Sequence, residues 1–412
     1  MNELEKKNFI WNVLGLSLYS FTSLFLMIIV TRVNGLNISG IFNYAFSLSC
    51  LFYYISTFYN RTFYVANDNK KYNFNDLFSY RLFTTLLSLI LIIIFSFFNK
   101  FDNYKILIII MMMIIKSIDS ISDCIYGEIH KNEKLYHVGI SLTVKAIIGV
   151  LSFLIIDLLT NNLVLSLITY LIINILFLLV YDIKILKQDY KEIFKFNKDK
   201  FRYIFIDCIS IFLFSFISNL LCNSQKLILT YFVSNEIQSI FGIIIMPATV
   251  LSLVGGYLIN PYITKFMEYR DNKDAKNFNN LFVKLNMVII VCGILCIIGG
   301  YILCVPVLNF VYGLDLGQYR FLIILILIGA TFLANTNIAS SCLTVLNCNN
   351  KQLIVYIVTS IISIILSYIL ISKQLINGAV YAYLITFIIL FILFNVLYIS
   401  TIRKESKLWK KR

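Results

Sequence analysis

The chain has 412 residues, of which 59% are hydrophobic and 14% charged, with a mean hydropathy of +0.84 and a net charge of +14. Soluble domains do not combine these values, and apolar runs of about twenty residues recur along the whole length, as in an integral membrane protein. The basic residues fall between the apolar runs and not in one patch, which excludes a nucleic-acid partner.

Residues 1–8 lead straight into a full-length apolar span without an A-x-A-like site, so no cleavable signal is expected. Windows of about nineteen residues give twelve expected spans. They lie near 9–31, 40–58, 77–98, 104–125, 138–157, 163–183, 204–231, 238–260, 284–305, 320–345, 353–372 and 378–399. With the N-terminus inside, the outer segments hold only Arg32, Lys100, Lys105, Arg320 and Lys373, while the inner segments hold most of the remaining Lys and Arg. This asymmetry predicts that both termini are cytoplasmic. The outer loops are short, leaving no room for an extracytoplasmic catalytic domain. The two longest inner loops, 184–203 and 261–283, carry no phosphate-cradling glycine motif.

The fourth span carries the most informative charges. An apolar run at 106–115 is followed by Lys116, Asp119 and Asp123, whose spacing puts all three on one helix face. A charge at the centre of a membrane helix costs about 2.5–3.5 kcal/mol unless it is paired or wetted. Lys145 lies in the next span at similar depth, so Asp119 and Lys145 are expected to meet across an antiparallel pair. Two readings stay open: a structural clamp, or charges facing a water-filled cavity. The cavity reading is favoured because intramembrane ionisable groups are functional-site candidates by default. His130 and His137 read as solvated residues of the following cytoplasmic loop.

The loop at 184–203 divides the chain into an N-terminal six-helix lobe (1–190), a linker (191–203), a C-terminal six-helix lobe (204–400) and a basic tail (401–412). A weak internal echo supports the division: T-R-V-N-G-L-N-I-S-G-I-F at 31–42 resembles T-Y-F-V-S-N-E-I-Q-S-I-F at 230–241. Such parallel repeats place substrate in a cleft between the halves. In the second half, Asn223, Gln225 and Lys226 are polar cavity candidates, with a snorkelling lysine as the alternative for Lys226. Asn335 and Asn337 are either cavity residues or hydrogen-bond glue between helices. Pro247 and Pro261 bracket the eighth span, and the first is expected to kink it. Nine cysteines lie mostly in apolar segments. Cys292 and Cys296, one turn apart with no histidine nearby, read as core filler, so no metal site is expected. The tail, with Trp409 among lysines, reads as an anchor against anionic lipid headgroups.

Four stretches carry a family resemblance. They are the turn at 31–42, the loop N-R-T-F-Y-V-A-N-D-N-K-K-Y-N-F-N-D-L-F-S-Y-R at 60–81, and D-C-I-Y-G-E-I-H-K-N-E-K-L at 123–135. The fourth combines Q-K-L at 225–227 and S-N-E-I-Q-S-I-F-G at 234–242 with the later Val305-Pro306 and Tyr312-Gly313. In order and placement they resemble the Wzx-type polysaccharide flippases of the multidrug/oligosaccharidyl-lipid/polysaccharide exporter superfamily. Two departures stand out: His130 where the family usually has glutamine, and Lys145 where it often has arginine, which loses bidentate phosphate geometry.

The resemblance implies an all-α membrane protein of about 12 transmembrane helices in two six-helix lobes, MATE-like and V-shaped, in the bacterial cytoplasmic membrane. It implies a non-enzymatic, alternating-access flippase for an undecaprenyl-diphosphate-linked oligosaccharide repeat unit used in capsule, exopolysaccharide or O-antigen synthesis, alongside membrane lipid and polysaccharide polymerase machinery. Arg32, Lys116, Lys145 and Lys226 would meet the diphosphate. Asp119 and Asp123 would hold lysines or couple to a Na+ or H+ gradient, with no resident cofactor. Arg61 and Arg81 would instead receive the diphosphate at the cytoplasmic entrance, or simply contact lipid headgroups there. The rival readings are a cation-coupled multidrug or metabolite antiporter of the same superfamily, and a membrane polysaccharide polymerase or glycosyltransferase.

Overall fold

The structure is a computed structural model that describes residues 3–66, 71–190 and 196–410. Parts of three expected segments lie outside these residues: 67–70 of the first basic loop, 191–195 of the linker, and 411–412 of the tail. Among the described residues the chain is helical, with no strand. The physical reason is general: hydrocarbon offers a backbone no partner, so each segment satisfies its own N–H and C=O groups.

α1 (Glu3–Thr57) covers both of the first two expected spans. It is interrupted at Gly35, whose φ of 81° and ψ of 175° break the helical path. The outer turn of the sequence echo is thus reduced here to one glycine, in a conformation that a side chain disfavours. Phe58 and Tyr59, at φ 42° and 55°, then turn the chain into the short α2 (Asn60–Ala66). α3 (Phe74–Phe98) starts with a capping box between Asn73 and Asp76, and Asp102 caps α4 (Asn103–Lys131). α5 (Leu135–Thr160) ends on left-handed Asn161, and Asn162 caps α6 (Leu163–Phe177). A π-helical stretch (Leu178–Asp182) joins α6 to α7 (Ile183–Asp189).

α8 (Phe201–Leu229) is followed by α9 (Asn235–Ile244), α10 (Met246–Ile259), α11 (Ile263–Asp271) and α12 (Ala275–Gly299). Pro247 opens α10 and Pro261 lies in the 3-10 turn after it, so the eighth span is interrupted where its prolines stand. The stretch 261–283, expected as a loop, is mostly helical, formed by α11 and the start of α12. A second π-helical stretch (Gly300–Cys304) leads to α13 (Val305–Tyr312), and α14 (Arg320–Val345) and α15 (Asn349–Lys410) complete the chain. Leu375, at φ 50°, divides α15 between the last two expected spans.

Nine helices among the described residues are long and apolar enough to cross a membrane. α4 is not one of them, because Lys116, Asp119 and Asp123 follow its apolar run.

The contacts group the chain into two units that divide at Phe216, within α8. The first turns of α8 belong to the N-terminal unit. Phe212 stacks on Phe58 at 4.4 Å, Cys208 and Ile204 pack with Tyr80, and Asp207 accepts from Lys71 at 2.7 Å. A second apolar cluster in that unit joins Phe74 and Phe78 of α3 to Ile125 and Ile129 of α4, Val138 and Leu142 of α5, and Leu186 of α7.

α1 and α5 approach each other through glycines. A Cβ on Gly139 would stand 2.1 Å from the Trp11 carbonyl oxygen, and one on Gly15 would stand 2.4 Å from the Gly139 oxygen. Small residues at such crossings let helix backbones come together where lipid provides no hydrophobic drive. A Gly139→Leu substitution is expected to lower the yield of folded, membrane-inserted protein about fivefold or more, since overpacking costs about 1–3 kcal/mol or more. Fluorescence-detected size exclusion of a tagged protein measures this. An unchanged monodisperse peak would show that the crossing tolerates separation.

Candidate functional site

The polar face of α4 organises the N-terminal unit. Lys116 and Asp119 pair at 3.0 Å within the helix, at i and i+3. Lys116 Nζ lies 5.5–5.9 Å from the ring centres of Phe46, Tyr53 and Tyr19. Such a half-caged ammonium gains cation–π attraction that water would otherwise weaken. A cavity of about 190 Å³ opens beside it, walled by Tyr19, Phe46, Lys116 and Tyr170.

One helical turn further, Asp123 takes two guanidinium groups. Arg61 Nη1 approaches Oδ1 at 2.8 Å, and both terminal nitrogens of Arg81 reach Oδ2 at 3.1 Å. The two arginines differ in their surroundings. Arg81 has a fully buried side chain and also donates to the Asn60 side chain and the Ser120 carbonyl, tying α2, α3 and α4 together. Arg61, with 26% of its side chain exposed, lines a cavity of about 490 Å³ together with Tyr53, Tyr54, Tyr59, Asp123 and His130. Two fixed cations around one carboxylate leave a net positive charge at a partly wetted wall. Tyr53 borders both this cavity and the Lys116 cage. The stack of Tyr54 on Tyr59, at 5.9 Å, gives the wall two aromatic faces and their hydroxyls. Tyr64, one turn after Arg61, donates to Glu128 at 2.6 Å and holds α2 against α4.

Lys145 does not meet Asp119. Its Nζ donates to Asp182 at 2.6 Å, to Ser122 at 2.8 Å and to Tyr126 at 3.0 Å, while Ser141 donates to Asp182 at 2.6 Å. Both charged side chains are 2% exposed or less. Asp119 is already held by Lys116 on its own helix. Asp182 stands on the π-helical stretch after α6, where the widened turn shifts the side-chain register. Lys145 therefore closes a dry structural clamp between α4, α5 and the end of α6, and offers no free cation to a cavity. Arg81 is likewise enclosed, so the exposed half of the expected entrance pair is Arg61.

The histidines also differ from expectation. His130 is in the last turn of α4 and in the wall of the larger cavity, and His137 is in the first turn of α5, its Nδ1 2.9 Å from the Tyr181 hydroxyl. Both helices extend past the expected spans. Arg32 is exposed on α1, before the Gly35 break.

The remaining expected polar residues belong to the C-terminal unit. Lys226 is half-buried at the end of α8, and its carbonyl accepts from Gln238 at 2.9 Å. Gln225 is fully buried and donates to Ser363 at 3.1 Å; Ser224 and Thr386 meet the same hydroxyl, and Gln225 Oε1 makes no hydrogen bond. Asn223 donates to Asn219, one turn back. Asn335 donates to the Thr331 carbonyl of its own helix, and Asn337 is half-buried on the same helix. Asp182, Glu128 and the tyrosines of the larger cavity are absent from the sequence-derived site, as each stands at a span end that reads as interfacial.

No family model matches this chain. The capsular polysaccharide biosynthesis protein CapF of Staphylococcus aureus is 23% identical over 376 residues, covering 90% of this chain and 94% of CapF. The structure is similar to an inward-facing multidrug resistance MATE family transporter of the MOP superfamily, with a TM-score of 0.69 and 10% identity over 95% of this chain and 99% of the other. It is also similar to the lipid II flippase MurJ in an inward closed conformation, with a TM-score of 0.70 and 14% identity over 96% and 90% of the two chains. The chain thus has the fold of these transporters and is a multi-pass membrane protein.

The clamp assignment has a direct check. Lys145→Ala leaves Asp182 buried and uncompensated, a change that costs about 3–5 kcal/mol. The double variant Lys145→Met with Asp182→Leu removes both charges and is expected to recover most of the lost thermal stability in detergent. If the double variant is no more stable than Lys145→Ala, Asp182 does more than neutralise Lys145.

Proposed function

We propose that this chain is a flippase that carries undecaprenyl-diphosphate-linked oligosaccharide repeat units across the bacterial cytoplasmic membrane by alternating access, for surface polysaccharide synthesis of the capsule type. One observation carries the reading: Asp123 is shared by two arginines, and Arg61 of the pair faces an aromatic cavity. A diphosphate arriving there can take over Arg61 as a bidentate partner, while Arg81 keeps Asp123 neutralised and in place. The tyrosine hydroxyls and ring faces suit a sugar head, and the polyprenyl tail has the surrounding lipid available. Lys116, caged by rings and paired with Asp119, would meet the headgroup further along α4, with Arg32 as a further cation contact in the same unit. The likeness to CapF, and the fold shared with a lipid II flippase, support the same cargo class. Delivery to polysaccharide polymerase machinery follows from that cargo.

A multidrug or metabolite antiporter is the second reading, favoured by the MATE-like fold. Cationic drugs need an uncompensated carboxylate, and here Asp119 and Asp123 already hold Lys116 and the two arginines. If a sodium or proton gradient drives the cycle, Asp119, with its single basic partner, is the carboxylate through which it would act.

In a strain lacking the gene, complementation with Arg61→Ala is expected to lower surface polymer at least tenfold at equal membrane abundance, with lipid-linked repeat units accumulating in the cells. Arg61→Lys keeps the charge without the fork and should restore export in part. Wild-type polymer levels in Arg61→Ala would remove the diphosphate role from this arginine. Fluorescent-dye efflux by cells expressing the protein, with polymer unaffected by its loss, would establish the antiporter instead.

A further inference from the structure

The C-terminal unit carries a second charged feature, unrelated to the α4 site. A groove of about 900 Å³ lies between the turn that opens α12 and the end of α15, lined by Lys273, Lys276, Asn280, Arg403, Lys407 and Trp409 among others. Its one acid, Asp274, is engaged. The Asn277 amide donates to Oδ1 at 3.0 Å and the Asn277 side chain to Oδ2 at 2.6 Å, and these bonds hold the carboxyl below the usual carboxylate range. Four cations therefore surround a mouth whose only carboxylate already caps a helix.

The two walls change character together. On α15, Ile392, Val396 and Ile399 are exposed apolar residues at helical spacing, and Arg403 and Lys407 continue the same face. On α12, exposed Val283 and Met287 lie on the face that carries Asn280 and Lys276 one and two turns earlier. Tyr398 stacks on Phe282 at 3.8 Å and its hydroxyl lies 3.3 Å from Asn279, so the two helices are held together beside the groove. An acidic protein would have no use for the apolar stripes running away from the charges. A molecule with an anionic head and two apolar chains matches both parts.

We infer that this groove is a binding site for an anionic phospholipid of the surrounding bilayer, its phosphate among Lys273, Lys276, Arg403 and Lys407 and its chains along the exposed stripes of α12 and α15. Basic residues at a membrane surface attract anionic headgroups strongly enough to shift binding about fivefold per cation. Trp409 stands in the groove wall where an interfacial aromatic side chain is favoured.

The chain has only two tryptophans, Trp11 and Trp409. A Trp11→Phe variant therefore reports on the groove alone. In bilayer nanodiscs, phosphatidylglycerol brominated in its chains is expected to quench Trp409 at several-fold lower mole fraction than brominated phosphatidylcholine. The double reversal Lys276→Glu with Arg403→Glu, on exposed positions, should abolish that preference while the protein elutes as the parent does. Equal quenching by the two lipids overturns the site, as does a preference that survives the double reversal. Displacement of the brominated phosphatidylglycerol by undecaprenyl phosphate at lower mole fraction than by unlabelled phosphatidylglycerol assigns the groove to lipid-linked cargo and also overturns the inference.

Discussion

A charge placed among hydrocarbon chains must find an opposite charge or water, and α4 concentrates that demand in this protein. Lys116, Asp119 and Asp123 share its polar face, and each is met by a partner of opposite sign. The partners come from α4 itself, from α2 and from α3, so satisfying the charges also fixes where α2 and α3 sit. Arg81 shows how much depends on this. One buried guanidinium on α3 reaches Asn60 on α2 and both Ser120 and Asp123 on α4. Removing it would leave Asp123 to Arg61 alone and take a donor from the Asn60 and Ser120 oxygens.

The recurrent apolar helices, the turn after the first expected span and the kink at Pro247 are legible in the sequence, because each follows from a local rule about hydrocarbon length or backbone freedom. The polar face of α4 is legible for the same reason: a spacing of three and four residues on a helix needs no tertiary information. Which groups the charges meet is not local. Asp182 reads as an interfacial residue in Tyr-Asp-Ile-Lys, and only the π-helical stretch and the packing of α6 bring it to Lys145. Asp119 is a plausible partner by depth alone, but depth says nothing of azimuth around α5. His130 reads as a loop residue because hydropathy ends the span before the helix ends. α4 continues to Lys131 with its last turn held by Glu128 and Asn132.

The C-terminal unit meets the same constraint with neutral groups. Ser363 gathers Ser224, Gln225 and Thr386 in one buried hydrogen-bonded knot, and Asn335 returns its amide to its own helix. Neutral hydrogen bonds of this kind join membrane helices at about 1 kcal/mol or less each. They need no wet surroundings, which suits a packed helix contact better than a site for a multiply charged ligand. The uneven distribution of buried charge between the two units therefore points the anion chemistry of the proposed cycle toward the N-terminal one.

Within that unit, Lys145, Arg81 and Arg61 differ in what already holds them. Lys145 is enclosed with a dedicated carboxylate and two hydroxyl groups, and a ligand would have to strip all of these in a dry contact. Arg81 is enclosed as well, with its donors divided among fixed acceptors. Arg61 has a carboxylate that another arginine also neutralises, and it sits at a cavity wall on a seven-residue helix that follows two left-handed residues. Exchanging Asp123 for an incoming anion at Arg61 leaves no buried charge alone, because Arg81 remains on Asp123 throughout. The same exchange at Lys145 would strand Asp182. Pair stability alone would rank these sites the other way round. What separates a replaceable ion pair from a permanent one is whether the displaced partner keeps a counter-charge, and in the α4 cluster that condition is met at Arg61.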